Sequence, residues 1–193
     1  MVCLTNIPCA HLPFGEGFIL ANITTKIINW FSIHSTMTSL LMTIRSFLDQ
    51  HGISYVIKEH PSVTTSEEAA AARGESLKIG AKALLVKDDT HFVLLVIPAD
   101  RKLDTKKVKK VLNTRNLRFA SPEELKEIAH VEKGAVPPFG NLLGIEMIVD
   151  TRLFEEEYMA FNAGSVETSI KMKTEDYRIA VKPREEDIAS INV

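Results

Sequence analysis

The run KGAVPPFG, residues 133–140, limits what this chain can fold into more than any other stretch. Its two glycines, two adjacent prolines and one aromatic ring fit neither a helix interior nor a central strand. Pro137 and Pro138 fix their own φ angles and push the residue before each toward extended geometry. Gly134 and Gly140 can take backbone angles closed to other residues. A stiff loop is expected, presenting the backbone N–H groups of Gly134 and Ala135. Donors held in place before a ligand arrives suit a carbonyl or phosphate oxygen. The same composition also suits a rigid connector between two elements, and on composition alone both readings stay open.

A chain of 193 residues fits one domain with a substantial core. Its net charge of −2 excludes a uniformly basic nucleic-acid binder, though not a local basic face. The only cysteines are Cys3 and Cys9, so no disulfide framework is available to the body of the chain. No clustered His/Cys spacing suggests zinc, and a reducing, cytoplasmic compartment is the default. No run reaches the roughly 18 to 20 apolar residues that a membrane span needs. Residues 1–36 carry few charges and no sustained period, and no basic segment precedes an apolar one as in a secretory signal. They read as an extension peripheral to the domain or an upstream translation artefact. The domain proper is expected over 37–183, with 184–193 as a polar C-terminal tail.

Within the domain, Leu40, Leu41, Ile44, Phe47 and Leu48 repeat at helical spacing and Gly52 supplies a stop. ISYVIK reads as a strand. In TTSEEAAAARG, Thr65 and Glu68 have capping-box spacing and Gly74 ends the helix. His60, Pro61 and Thr64 lie in the loop before that helix, where they either border a ligand or simply make a turn. AKALLVK and HFVLLVIPA predict a core β-hairpin. Lys82 enters the first of these strands, and its ammonium must reach solvent or a partner. Ser121, Pro122 and Glu124 start another helix. IEMIVD, MAFNAGS and ETSIKMK read as later strands, and Thr174 to Val181 as a last short helix.

Arg101 to Arg118 holds eight basic residues and one acid, Asp104. Val108, Val111 and Leu112 mark the buried stripe of its helix, leaving Lys106, Lys107, Lys109 and Lys110 exposed. That face is either simply solvated or a salt-sensitive contact to a phosphate backbone.

HPSVTTSEEAAAARG, GAKALLVK, GAVPPFG and FNAGS followed by TSIKM, in this order and spacing, resemble the YbaK-like aminoacyl-tRNA deacylases. That family includes free-standing trans-editing proteins and the editing insertion of bacterial prolyl-tRNA synthetases. The resemblance covers roughly Met42 to Pro183. It implies a compact α+β fold with a curved mixed sheet flanked by helices. Lys82 matches the family's substrate-binding lysine, and Gly134 with Pro138 its Gly-x-x-x-Pro loop. Lys82, Gly134 and Ala135 are thus the expected catalytic set. His60, Thr64, Thr65, Pro138, Phe139, Gly140, Asn162, Ala163, Gly164, Ser165 and Ser169 are the expected substrate contacts. Some members carry a carboxylate where this chain has Thr168 or Ser169, which leaves the amino acid open.

The implied activity is hydrolysis of the ester joining a small mischarged amino acid to tRNA, such as alanine or cysteine on tRNA(Pro). A pocket excludes larger residues by volume more easily than smaller ones, so a separate correcting site is useful. No zinc motif, no G-x-S-x-G elbow and no cysteine in the domain disfavour a metal or covalent mechanism, and no cofactor is implied. The expected partner is aminoacyl-tRNA, with a prolyl-tRNA synthetase or elongation factor as a protein partner, and neither membrane nor DNA. The rival readings are a non-catalytic module binding tRNA ends or nucleotides, and an esterase for a small metabolite.

Overall fold

The computed structural model describes residues 40–191. The extension expected at residues 1–36 lies outside the described residues. A first helix, α1, spans residues 40–50. The elements after it are β1 (Tyr55–Glu59), α2 (Ser66–Arg73), β2 (Ala81–Lys87), β3 (Phe92–Pro98) and β4 (Arg101–Leu103). Next come α3 (Thr105–Val111), β5 (Arg118–Phe119), α4 (Pro122–Ile128), α5 (Gly140–Leu143) and β6 (Glu146–Asp150). The chain closes with β7 (Tyr158–Asn162), β8 (Thr168–Lys173), α6 (Thr174–Val181), β9 (Arg184–Glu186) and β10 (Ala189–Ile191). The expected α+β class holds.

The main sheet has five strands in the order β5-β2-β3-β6-β9, antiparallel from β5 to β3 and parallel from β3 to β9. A second, antiparallel sheet runs β1-β8-β7, and a bridge between Gly80 and Ala160 links the two. The predicted hairpin is present, with Lys82 opposite Ile97. Strand β3 is apolar throughout because both its faces are covered. Leu94 and Val96 enter a core shared with Phe139, Met159, Phe161, Ile170 and Tyr177. Val93, Leu95 and Ile97 enter a second core with Val108, Ile148 and Ile188. Helix α3 therefore lies against the face of the sheet turned away from the first core.

The expected polar tail at 184–193 needs correction. Arg184–Glu186 pairs parallel to β6, and Ala189–Ile191 pairs antiparallel to β4. Ile188 and Ala189 are fully buried. The buried Asp150 carboxylate explains why the polar stretch folds back: one oxygen accepts from the N–H groups of Ile188 and Ala189 at 2.8 and 2.7 Å. A carboxylate taking several backbone donors offsets its own desolvation.

Candidate active site

A cleft of about 560 Å³ opens between the start of α2, strand β2, the segment Phe119–Pro122 and the glycine-proline loop. The local sequence builds each wall. At the N-terminus of α2 the predicted capping box is complete, with Thr65 and Glu68 bonding reciprocally. The Glu68 carboxylate also accepts from the N–H and hydroxyl of Thr64 at 2.8 and 3.0 Å. These bonds, led by the Thr64 N–H, hold its pKa below the ordinary glutamate value. Thr64 and Thr65 thus form a fixed rim to the cleft.

Lys82 lines the cleft and gives a hydrogen bond to the Ala99 carbonyl at 3.2 Å. It makes no salt bridge among the described residues. Burial lowers its pKa, opposed by Glu67 and Asp100. An ammonium with one carbonyl contact has donors to spare.

The glycine-proline loop divides in two. Its first half faces the cleft through Lys133, Gly134 and Val136. Gly134 has φ +89°, and an added Cβ would meet only Val166 at 3.6 Å, so backbone angle rather than space demands glycine. Its second half is core. Phe139 is fully buried and stacks edge-on against Phe47, Phe161 and Tyr177. The Pro138 carbonyl accepts from the Tyr177 hydroxyl at 2.7 Å. A Cβ on Gly140 would sit 2.6 Å from the Ile145 carbonyl oxygen and 2.7 Å from Met147 Cβ. Pro138, Phe139 and Gly140, expected as substrate contacts, instead anchor the loop and do not line the cleft.

The catalytic set needs a similar correction. The Ala135 N–H, expected to point at a ligand, donates to the Glu132 carbonyl at 3.1 Å and closes a turn. The N–H groups of Gly134 and Val136 have no acceptor among the described residues. Val136 is 7% exposed and lines the cleft.

Asn162 alone of the Asn162–Ser165 turn lines the cleft. Its amide donates to the Gly134 carbonyl at 2.8 Å, and its carbonyl accepts from the Ser169 hydroxyl at 3.0 Å. His60 Nε2 lies 2.8 Å from the same hydroxyl, and Arg73 Nη1 donates to it at 3.3 Å. His60 and Ser169 therefore stand behind Asn162 and position it, rather than lining the cleft themselves. Ala163 and Gly164 serve the turn, their N–H groups donating to Thr168 and Ala135, and Ser165 accepts from Glu167 N–H.

Sequence reasoning missed Arg73. It is 7% exposed, lines the cleft, makes no salt bridge among the described residues and leaves Nε without a partner. Burial pulls its pKa down, with Glu75 opposing. In the sequence it looks like an ordinary basic residue in the last turn of a helix, just ahead of the glycine cap, so no signal marked it. Phe119, 57% exposed at the cleft, was missed for a similar reason. Among the expected tRNA contacts, Lys107 is held by Asp187 at 2.7 Å and by the Ala189 carbonyl.

The sequence profile of the aminoacyl-tRNA editing domain matches residues 60–179, which hold every cleft-lining residue. The chain belongs to that family. It is 32% identical over 143 residues to the multifunctional Ser/Thr-tRNA deacylase ProXp-y of Escherichia coli K12, covering 72% of this chain and 86% of that protein. It is 29% identical over 141 residues to the prolyl-tRNA editing protein ProX of Acetoanaerobium sticklandii, covering 70% and 86%. A crystal structure described as a proposed trans-editing enzyme for prolyl-tRNA synthetase superposes with a TM-score of 0.69 at 22% identity, covering 78% of this chain and 97% of that one. The expected family and fold stand, and the enzyme class is that of hydrolytic aminoacyl-tRNA editing.

Proposed function

We propose that this editing domain acts in trans on the ester of a small amino acid misplaced on tRNA. Alanine or cysteine on tRNA(Pro) are the acyl groups the sequence suggested. Serine and threonine join them, because Asn162 and Arg73 give the cleft polar lining and the ProXp-y relative is a Ser/Thr-tRNA deacylase. Small residues along the wall, among them Ala69, Ala81 and Ala83, suit a small acyl group bounded by bulkier neighbours.

The observation that carries the reading is the charge of the cleft. Arg73, Lys82 and Lys133 line it, and among the described residues no carboxylate or imidazole does. Such a site favours phosphate and developing oxyanion and offers no evident side-chain base. Lys82 holds a phosphate or ester oxygen of the tRNA end. The free N–H groups of Gly134 and Val136 receive the oxyanion as water adds to the ester carbon. The water's proton goes to the substrate itself. An α-amino group has an ordinary pKa of about 8, and neighbouring cations lower it, so the amine is available as a base. The vicinal ribose hydroxyl can orient the same water. Collapse of the tetrahedral adduct breaks the ester C–O bond, releasing the amino acid and a ribose hydroxyl.

The test is a deacylation panel with Ala-, Cys-, Ser-, Thr- and Pro-charged tRNAs. Release of one or more small amino acids, with Pro-tRNA(Pro) spared, supports the proposal. Acetylating the substrate amine should slow cleavage while binding persists. Tight binding of a non-hydrolysable aminoacyl-adenosine with no cleavage anywhere on the panel would replace the enzyme by a binding module.

A further inference from the structure

The ester cannot enter the cleft without bringing the terminal nucleoside to its mouth, because the base lies only one ribose ring from the acyl group. The lining there includes one exposed aromatic side chain. Phe119 is 57% exposed, belongs to neither core cluster, and makes no ring contact with another aromatic or a cation among the described residues. An exposed phenylalanine alone means little. The setting of this one is more specific.

The segment that carries Phe119 is clamped from several directions. Its strand pairs Phe119 with Val86, and the Ala120 N–H donates to the Leu85 carbonyl at 2.9 Å. Arg118 reaches its own neighbour's carbonyl, Phe119 O, at 3.2 Å. The same guanidinium grips both Glu124 oxygens at 2.7 Å. Glu124 in turn accepts from the Ser121 N–H at 2.8 Å, completing a second capping box. Ala120 and Pro122 continue the apolar ledge along the cleft. The backbone beneath the ring is thus fixed in advance, so ordering it costs little when a ligand arrives.

We infer that Phe119 is the stacking platform for the terminal base of the aminoacylated RNA, which sets the ester against Lys82 and Gly134. The inference rests on the deacylase reading above and adds a nucleobase subsite to it. Charge and size favour a base over a protein partner. The lining is cationic with no carboxylate among the described residues, which suits a ligand carrying phosphate. The other large exposed apolar side chains, Met42, Val56, Tyr158 and Ile179, are not part of the cleft lining. One ring matches one base, whereas a protein interface needs a continuous patch. Since any base has a π face, the platform binds and orients without demanding a particular sequence.

The experiment compares wild type, Phe119→Ala and Phe119→Tyr on a charged RNA minihelix with and without its terminal adenine base. Stacking contributions of the usual size predict that Phe119→Ala raises KM by roughly five- to 150-fold, with kcat changed little and Phe119→Tyr near wild type. Removing the base should raise the wild-type KM similarly and leave Phe119→Ala almost unaffected. A minihelix ending in 2-aminopurine should lose fluorescence on binding wild type but not Phe119→Ala, which reads stacking whether or not the ester is cut. Quenching without hydrolysis separates the subsite from the deacylase reading and sinks only the latter. Hydrolysis at an unchanged KM in Phe119→Ala, or effects of ring and base removal that multiply, overturns the platform. Unchanged melting temperatures confirm that the variants are folded.

Discussion

Two groups of cations in this domain are handled differently. Around the C-terminal strands, Lys107 and Arg152 both reach Asp187 at 2.7 Å, and Arg152 also contacts the buried Asp150. In the cleft, Arg73 and Lys82 are more deeply placed, yet neither has a carboxylate within ion-pair distance among the described residues. Folding alone would favour the opposite assignment, since a buried cation gains most from a partner. The first group holds a segment to the domain. The second is left without a carboxylate among the described residues, as the proposed anion-binding role requires.

The difference between the two groups of cations should be largest at Lys82. Lys82→Ala should leave the melting temperature within a degree or two and reduce deacylation at least 100-fold, measured as first-order release of amino acid from charged tRNA. Lys82→Arg should also be poor, because a planar guanidinium presents its charge differently from an ammonium. Near-normal turnover in Lys82→Ala would make the lysine a mere snorkelling side chain.

Arg73 sharpens the contrast, because function and stability should move apart. Arg73→Met removes a nearly buried cation with an orphaned Nε, so stability should hold or rise. Turnover should nonetheless fall roughly fivefold, the usual scale of about 1 kcal/mol for a lost positioning contact, as Ser169 and Asn162 loosen behind Gly134. Loss of stability together with activity would make Arg73 a structural residue like Arg152.

On the other side, Asp187→Asn should change stability and not catalysis. Hydrogen bonds from Arg152 and then Lys107 hold the Asp187 pKa at about 2, against an ordinary 3.8. A carboxylate with a depressed folded-state pKa stabilises above its unfolded pKa, and the contribution disappears as pH falls through the folded value. The deficit of Asp187→Asn should therefore be full above about pH 4 and vanish toward pH 2. The side chain is half exposed, so solvent screening limits the effect to about 1 kcal/mol, a few degrees in melting temperature.

What could be read from the sequence follows the same division. Elements announced by local chemistry are where the sequence put them: the Thr65–Glu68 and Ser121–Glu124 capping boxes, and the β2–β3 hairpin. The placement of Lys82 and Gly134 in one cleft followed from the family resemblance. The C-terminal strands were missed because their burial depends on Asp150, some 38 residues away in sequence, which turns a polar stretch into a paired one. The resemblance made Pro138 and Phe139 expected substrate contacts, but a matched loop motif does not show which half of the loop is packed into the core. Arg73 and Phe119 gave no local signal, since a basic residue before a helix cap and an aromatic in a short strand are both ordinary.

The smallest expected effect belongs to the lysine-rich helix. Lys106 and Lys110 are exposed and Lys109 is half-buried, while Lys107 is occupied by Asp187. Val108 anchors α3 to the second core, whereas the cleft-lining Leu85, Leu125 and Val136 belong to the first. The helix thus sits away from the ester, and any contact it makes is with RNA backbone further along the molecule. Changing Lys106, Lys109 and Lys110 together to Ser should leave single-turnover cleavage at saturating tRNA unchanged. Affinity for full-length tRNA should fall a few-fold at low salt, with the slope of log K against log salt flatter by at most about 2 to 3. A minihelix too short to reach the helix should bind both proteins alike. Equal slopes with full-length tRNA would return all these lysines to a solvated face, leaving the cations of the cleft as the ones that meet nucleic acid.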